Sequence, residues 1–150
     1  KEGLTMSEIN ALLNKHSGLL GISGVSSDMR EIISEMKNGN QRAKLAFEVF
    51  CYRIKKYIGA YAAAMGGVDA IVFTAGIGEN SPDVRKKVCE GLEFLGIKID
   101  DEKNDSPEKE KIITTDDSKV KVLVIPTNEE LVIALDTAEI VSKSKVMAEK

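Results

Sequence analysis

The sequence predicts an α/β fold, and three observations carry that prediction. The first is a helical stripe in which Ala43, Ala46, Phe47, Phe50, Ile54, Tyr57, Ile58, Tyr61 and Met65 recur at steps of three and four. The second is a pair of β-favouring runs, Val68-Asp69-Ala70-Ile71-Val72-Phe73-Thr74 and Lys119-Val120-Lys121-Val122-Leu123-Val124-Ile125. The third is that each run ends in a short turn that leads into a helical pattern. Strands alternating with helices in this way form α/β sheets whose ligands gather at the carboxyl ends of the strands.

A first amphipathic helix is expected over residues 5–15, capped by Thr5, with Ile9, Leu12 and Leu13 on one face. Gly18-Leu19-Leu20-Gly21-Ile22-Ser23-Gly24 reads as a glycine-spaced apolar loop. Ser26-Ser27-Asp28 offers several caps for a helix to Lys37, which Asn38-Gly39-Asn40 breaks. The long helix is expected over residues 41–65, ended by Gly66-Gly67. Residues 68–74 are predicted to be a strand buried on both faces, because the run is unbroken. A turn over residues 76–80 leads to a helix over 82–95, closed by Gly96, and then to a short strand, Ile97-Lys98-Ile99. Residues 100–111 are polar and read as a solvated excursion, and residues 112–115 as a small edge strand. A firmer strand over 119–125 precedes a helix from a Thr127 cap to residue 142, with 144–150 as a frayed tail. No repeat or linker divides the chain. It reads as one domain over residues 1–150, helical over 1–67 and β-α-β-β-α over 68–143.

Composition narrows the function class. At 43% hydrophobic and 30% charged, the 150 residues fit a globular protein. A net charge of −3 gives no basic face for a phosphate backbone, so no nucleic-acid partner is expected. No apolar stretch approaches the roughly 20 residues of a membrane helix, so no membrane partner is expected either. The opening Lys1-Glu2-Gly3-Leu4-Thr5 lacks the apolar core of a signal peptide. A helix that starts almost at once would suit an excised domain. Cys51 and Cys89 lack metal-ligand spacing and read as free buried thiols, which with the rest points to the cytoplasm.

Three constellations can carry chemistry. In Gly76-Ile77-Gly78-Glu79-Asn80, glycines two apart let a backbone approach a ligand, and Ser81 and Pro82 pre-form the next helix start. Glu79 and Asp83 place carboxylates where a phosphate wants bare amides, which favours the adenosine end of a nucleotide over its γ-phosphate. The alternative is a turn whose glycines serve packing alone. In Pro126-Thr127-Asn128-Glu129-Glu130, Thr127 and Glu130 fit a capping box, leaving Glu129 at a strand end where a carboxylate suits Mg²⁺. The alternative is that both glutamates complement the helix dipole. In Ser26-Ser27-Asp28-Met29-Arg30, Asp28 suits ribose hydroxyls and Arg30 suits adenine or a phosphate. Here the alternative is a helix start with an exposed arginine. His16, the single histidine, sits at a helix end where dipole complementation or capping is the expected role.

Lys15-His16-Ser17-Gly18-Leu19-Leu20-Gly21-Ile22-Ser23-Gly24, Phe73-Thr74-Ala75-Gly76-Ile77-Gly78-Glu79-Asn80-Ser81 and Val124-Ile125-Pro126-Thr127-Asn128-Glu129-Glu130-Leu131 resemble, in the same order, the C-terminal part of the acetate kinase family. The resemblance implies a ribonuclease H-like fold of the actin/Hsp70 type, here its C-terminal portion, with a mixed sheet flanked by helices. It implies transfer of phosphate from ATP to acetate, giving ADP and acetyl phosphate, with Mg²⁺. Asp28, Met29, Arg30, Gly76, Ile77, Gly78, Glu79 and Asn80 match the family's nucleotide-contacting segments, and Glu129 its magnesium-associated glutamate. A homodimer joined through this region is implied, with the long helix partly at the interface. The family's substrate-binding asparagine and arginine, catalytic aspartate, and transition-state histidine and arginine are expected upstream of Lys1, and His16 does not match that histidine. No catalytic residue is therefore expected in this chain. Propionate or another short-chain acid remains open as the acceptor, as does a non-catalytic actin/Hsp70-like nucleotide module.

Overall fold

The structure, a computed structural model, describes residues 3–148. Helix α1, Met6–Asn14, opens with the capping box expected at Thr5. The Glu8 amide donates to the Thr5 hydroxyl at 3.3 Å, and the Thr5 amide to the Glu8 carboxylate at 2.8 Å. Helix α2, Gly18–Ser23, forms where a loop is predicted. Glycine disfavours a helix by about 1 kcal/mol, but Arg42 reaches across to donate to the Gly21 and Ile22 carbonyls at 3.1 and 3.0 Å. Helix α3, Met29–Lys37, takes Asp28 as its cap from among the three candidates.

Helix α4, Gln41–Met65, has the predicted bounds. The Asn40 side chain accepts from the Arg42 and Ala43 amides at 3.0 and 3.1 Å, and Gly66 closes the helix in the left-handed region at φ 76°. Its stripe has two fates. Ala43, Ala46 and Phe47 are buried, with Cys51 beside them, whereas Tyr57, Tyr61 and Met65 are exposed.

Strands β1 (Ala70–Phe73), β2 (Lys111–Ile112) and β3 (Lys121–Val124) form one mixed sheet in the order β1-β3-β2. β1 runs parallel to β3 with Phe73 opposite Val124, and β2 runs antiparallel with Lys111 opposite Val124. Helices α5 (Ala75–Asn80), α6 (Pro82–Cys89) and α7 (Asp101–Asp105) lie between β1 and β2, and α8 (Glu129–Ala148) follows β3. Helices α4 and α6 pack on each other. Val84, Val88, Ile97, Ile113, Val122 and Val124 are fully buried in a core that extends to Ile32 and Phe47.

Several expectations change. β1 is not buried on both faces: it lies at the sheet edge, Ile71 and Phe73 turn to the core, and Val72 stays 50% exposed. Residues 76–80 are a short helix, not a turn. α6 stops at Cys89, not at residue 95, because Glu90 leaves the helix at ψ 125° and Gly91 completes the turn at φ 79°. Ile97-Lys98-Ile99 contributes only the bridge of Ile99 to Thr114. β2 falls at Lys111–Ile112, so the edge strand begins one residue early and is shorter. Residues 144–148 continue α8 instead of fraying, and the rest of the expected tail, 149–150, lies outside the described residues. Among the described residues, no helix is long and apolar enough to cross a membrane. Cys51 and Cys89 are free and buried as expected. Burial pushes their thiols up to about 11 and about 12, which makes them inert.

Candidate functional site

The site begins where β1 ends. Ala75, directly after Thr74, has φ 59°, the one positive φ outside glycine among the described residues. Strain of this kind persists only where the surroundings over-determine it, and it clusters at ligand clamps. α5 then makes little more than one turn. Asn80 donates its side-chain amide to the Gly76 carbonyl at 2.8 Å, and the Ser81 amide donates to the Ile77 carbonyl at 3.0 Å. Ser81 in turn caps α6 by accepting from the Val84 amide, with Pro82 at the first helical position as predicted.

The two glycines of α5 serve different ends. A Cβ on Gly78 would sit 3.2 Å from the Phe73 carbonyl carbon, so close packing against the strand favours glycine there. A Cβ on Gly76 would meet nothing within 4 Å, because Gly76 borders open space. Packing therefore accounts for Gly78, whereas the backbone at Gly76 is left open on one side.

That open space is a cavity of about 560 Å³, lined by Asp28, Met29 and Arg30 from the start of α3 and by Gly76, Ile77 and Asn80 from α5. Two segments singled out in the sequence, some 46 residues apart, thus face each other. Ile33, Ile77 and Pro82 give the cavity apolar walls. Asp28 does two things here. Its carboxylate caps α3 through the Arg30 amide at 2.9 Å and pairs with the Arg30 guanidinium at 2.5 Å. Hydrogen bonds from the Arg30 side chain and then its amide hold the carboxyl down at about 2. The helix-start reading and the site reading of residues 28–30 are compatible.

Gly78 and Glu79 lie off the cavity lining. The Glu79 carboxylate is engaged elsewhere. Its Oε1 accepts from the Thr127 amide at 2.9 Å and the Thr127 hydroxyl at 3.1 Å, and the amide bond chiefly holds its carboxyl below the usual range. Asp83 lines the cavity, but its carboxylate pairs with Lys37 at 3.1 Å, which offsets its charge. The electrostatic objection to a phosphate at α5 is therefore weaker than the sequence implies. The Thr127 and Glu130 capping box is absent as well. Asn128 caps α8 by accepting from the Leu131 amide at 3.1 Å, while Thr127 is engaged by Glu79. Glu129 is exposed in the first turn of α8, outside the cavity. Among the described residues, no group of three acidic, histidine or cysteine side chains converges to hold a metal. His16 follows the end of α1, where its amide donates to the Ala11 carbonyl at 3.1 Å.

Sequence reasoning missed Arg85, Asn104 and Lys111. Arg85 is 1% exposed, and its guanidinium anchors the back of α5, with Nη1 donating to the Gly78 and Glu79 carbonyls at 2.9 and 2.8 Å. Its Nε and Nη2 donate to the Asn104 side chain and carbonyl at 2.8 and 2.7 Å. Asn104 closes the ring with a side-chain bond to the Pro82 carbonyl at 3.1 Å, and Lys111 adds a bond to the Asn104 carbonyl at 3.0 Å. Burial drives the Arg85 pKa down, and these acceptors replace the lost water. So residues 100–111 are largely exposed, as expected, but they are not solvated throughout: α7 delivers a buried asparagine. The available signal was the register of α6, since Arg85 lies four residues before Cys89 and beside Val84 and Val88 on the inward side.

The family model of the acetokinase family matches the chain over residues 1–135. An acetate kinase of Alkaliphilus metalliredigens is 60% identical over 94% of this chain, and one of Carboxydothermus hydrogenoformans is 63% identical over 94%. The chain spans only 36% and 35% of those relatives. The crystal structure of Porphyromonas gingivalis acetate kinase superposes with a TM-score of 0.85 at 56% identity, covering 93% of this chain and 35% of that one. A propionate kinase of Francisella tularensis follows with a TM-score of 0.78 at 44% identity, covering 88% and 33%. The fold is thus the C-terminal portion of the actin/Hsp70-type architecture of these kinases. With the family match, the ordered motifs and the fold in agreement, the chain belongs to the acetokinase family.

Proposed function

We propose that these 150 residues are the nucleotide-binding part of a phosphotransferase that carries phosphate from ATP to acetate, giving ADP and acetyl phosphate. The observation that carries this reading is the cavity uniting residues 28–30 with Gly76, Ile77 and Asn80. Its apolar walls suit a flat base, and Asp28 beside Arg30 offers acceptors and donors to a ribose and to phosphates. The names of the relatives support ATP and acetate as the substrates.

Mg²⁺ fits this reading as an ion held mostly by water and substrate phosphates, which needs only one or two protein carboxylates. Glu129, free at the carboxyl end of β3, would supply one, and the bound ion would offset phosphate charge. Phosphoryl transfer depends on positioning and charge stabilisation of the moving group, and we assign that work to residues upstream of Lys1. These 150 residues alone are therefore expected to turn over no acetate. We place the protein in the cytoplasm as a homodimer that uses the exposed Tyr57, Tyr61 and Met65 of α4. Propionate is the second reading for the acceptor, favoured by the propionate kinase among the structural neighbours.

Calorimetry with ADP tests the proposal on wild type and Gly76→Val. The Cβ it adds meets no protein atom within 4 Å, so the fold should persist while affinity falls about tenfold or more. Unchanged affinity in Gly76→Val would place the nucleotide elsewhere.

A further inference from the structure

The last backbone hydrogen bond joining the parallel strands runs from the Ile125 amide to the Phe73 carbonyl at 3.0 Å. Beyond it the two chains part, one into α5 and the other through Pro126 into α8. Glu79 spans the opening. Both the amide and the hydroxyl of Thr127 donate to the same carboxylate oxygen, a two-point contact between residues 48 apart in sequence. Glu79 is itself anchored from behind, since the buried Arg85 holds its carbonyl at 2.8 Å. Glu129 lies two residues after Thr127. A continuous line of hydrogen-bonded groups therefore runs from the buried guanidinium to the start of α8.

We propose that Glu79 is a positioning residue that ties the start of α8, with its candidate magnesium ligand Glu129, to the candidate nucleotide helix α5, and is itself a ligand of neither ion nor nucleotide. The inference rests on the function proposed above. The contact needs an acceptor oxygen at the end of a Glu-length side chain, not a charge, because both partners are donors. Glutamine can meet that need and alanine cannot. Partners one step removed from a metal typically alter its affinity by about 10–100-fold when lost.

The experiment uses a full-length polypeptide carrying this segment and measures ADP binding by calorimetry with and without Mg²⁺. Wild type, Glu79→Ala, Glu79→Gln and Glu129→Ala are compared, and exchange of the Thr127 amide is followed in metal-free protein. In Glu79→Ala the tightening by Mg²⁺ should shrink about tenfold or more, towards the value in Glu129→Ala, while metal-free ADP affinity changes less than about twofold. Thr127 exchange should quicken in that variant. Glu79→Gln should restore both properties. The proposal is overturned if Glu79→Ala keeps the wild-type response to Mg²⁺, or if Glu79→Gln loses as much as alanine, the mark of a direct ligand. It is overturned too if metal-free affinity falls as far as metal-bound affinity, the mark of general damage. Absence of ADP binding in wild type would instead defeat the nucleotide reading, and this inference with it.

Discussion

The two sides of the cleft at the carboxyl ends of β1 and β3 are built differently. On the α5 side, the buried Arg85 and Asn104 bind the backbone of α5 and α6 with bonds of 2.8–3.1 Å and each other with bonds of 2.7 and 2.8 Å. On the α8 side, Leu131, Val132, Ile133 and Leu135 are each more than half exposed, and the helix start is held by the Asn128 cap and the Glu79 contact. Few buried contacts mean that local opening costs little there. The contrast teaches that the geometry of the candidate nucleotide cavity is fixed within these residues. The position of Glu129, by comparison, depends on one carboxylate. The chain spans about a third of its relatives, so in a full-length protein further contacts to this side are expected.

The contrast can be broken most severely at Arg85. Arg85→Ala orphans the Gly78, Glu79 and Asn104 acceptors inside the protein and should cost about 3 kcal/mol or more, read as a lower urea midpoint. Gly78→Ala comes next. Its Cβ would press on Phe73 and should cost about 1–2 kcal/mol, whereas alanine at Gly76 should cost nothing or stabilise slightly. A smaller loss, about 1 kcal/mol, is expected for Asn128→Ala, since only the α8 cap is removed.

What was legible in the sequence follows the same division. α4 could be bounded because Asn40 and Gly66 are local signals that act within their own helix. The pairing of residues 28–30 with 76–80 was legible as two motifs, though only the fold shows them across one cavity. α2 was not legible, because Arg42, a residue on another helix, stabilises its glycine-rich turn. Asn104 was hidden among charged neighbours in residues 100–111, whose side chains face water while it alone in α7 is buried. β1 reads as doubly buried because its apolar residues cover both faces, yet only one face meets a core in this chain. The roles of Thr127 and Glu79 were misassigned for a related reason. A capping box is a local pattern, and a partner 48 residues away took the threonine.

The smallest effect concerns acid. Asp28 has a depressed pKa, so the stability it contributes is present above its ordinary value near 3.8 and is lost as pH falls towards about 2. Between those values the start of α3 should loosen in wild type and not in Asp28→Asn. Exchange of the Arg30 amide across that range would show it.

The most direct measurement is a crystal structure of a full-length polypeptide carrying this segment with ADP bound. The base and ribose should lie between α3 and α5, within hydrogen-bonding or van der Waals distance of Asp28, Arg30, Gly76 and Asn80. ADP held elsewhere, with the space between those helices filled only by solvent, would contradict the assignment of the cavity.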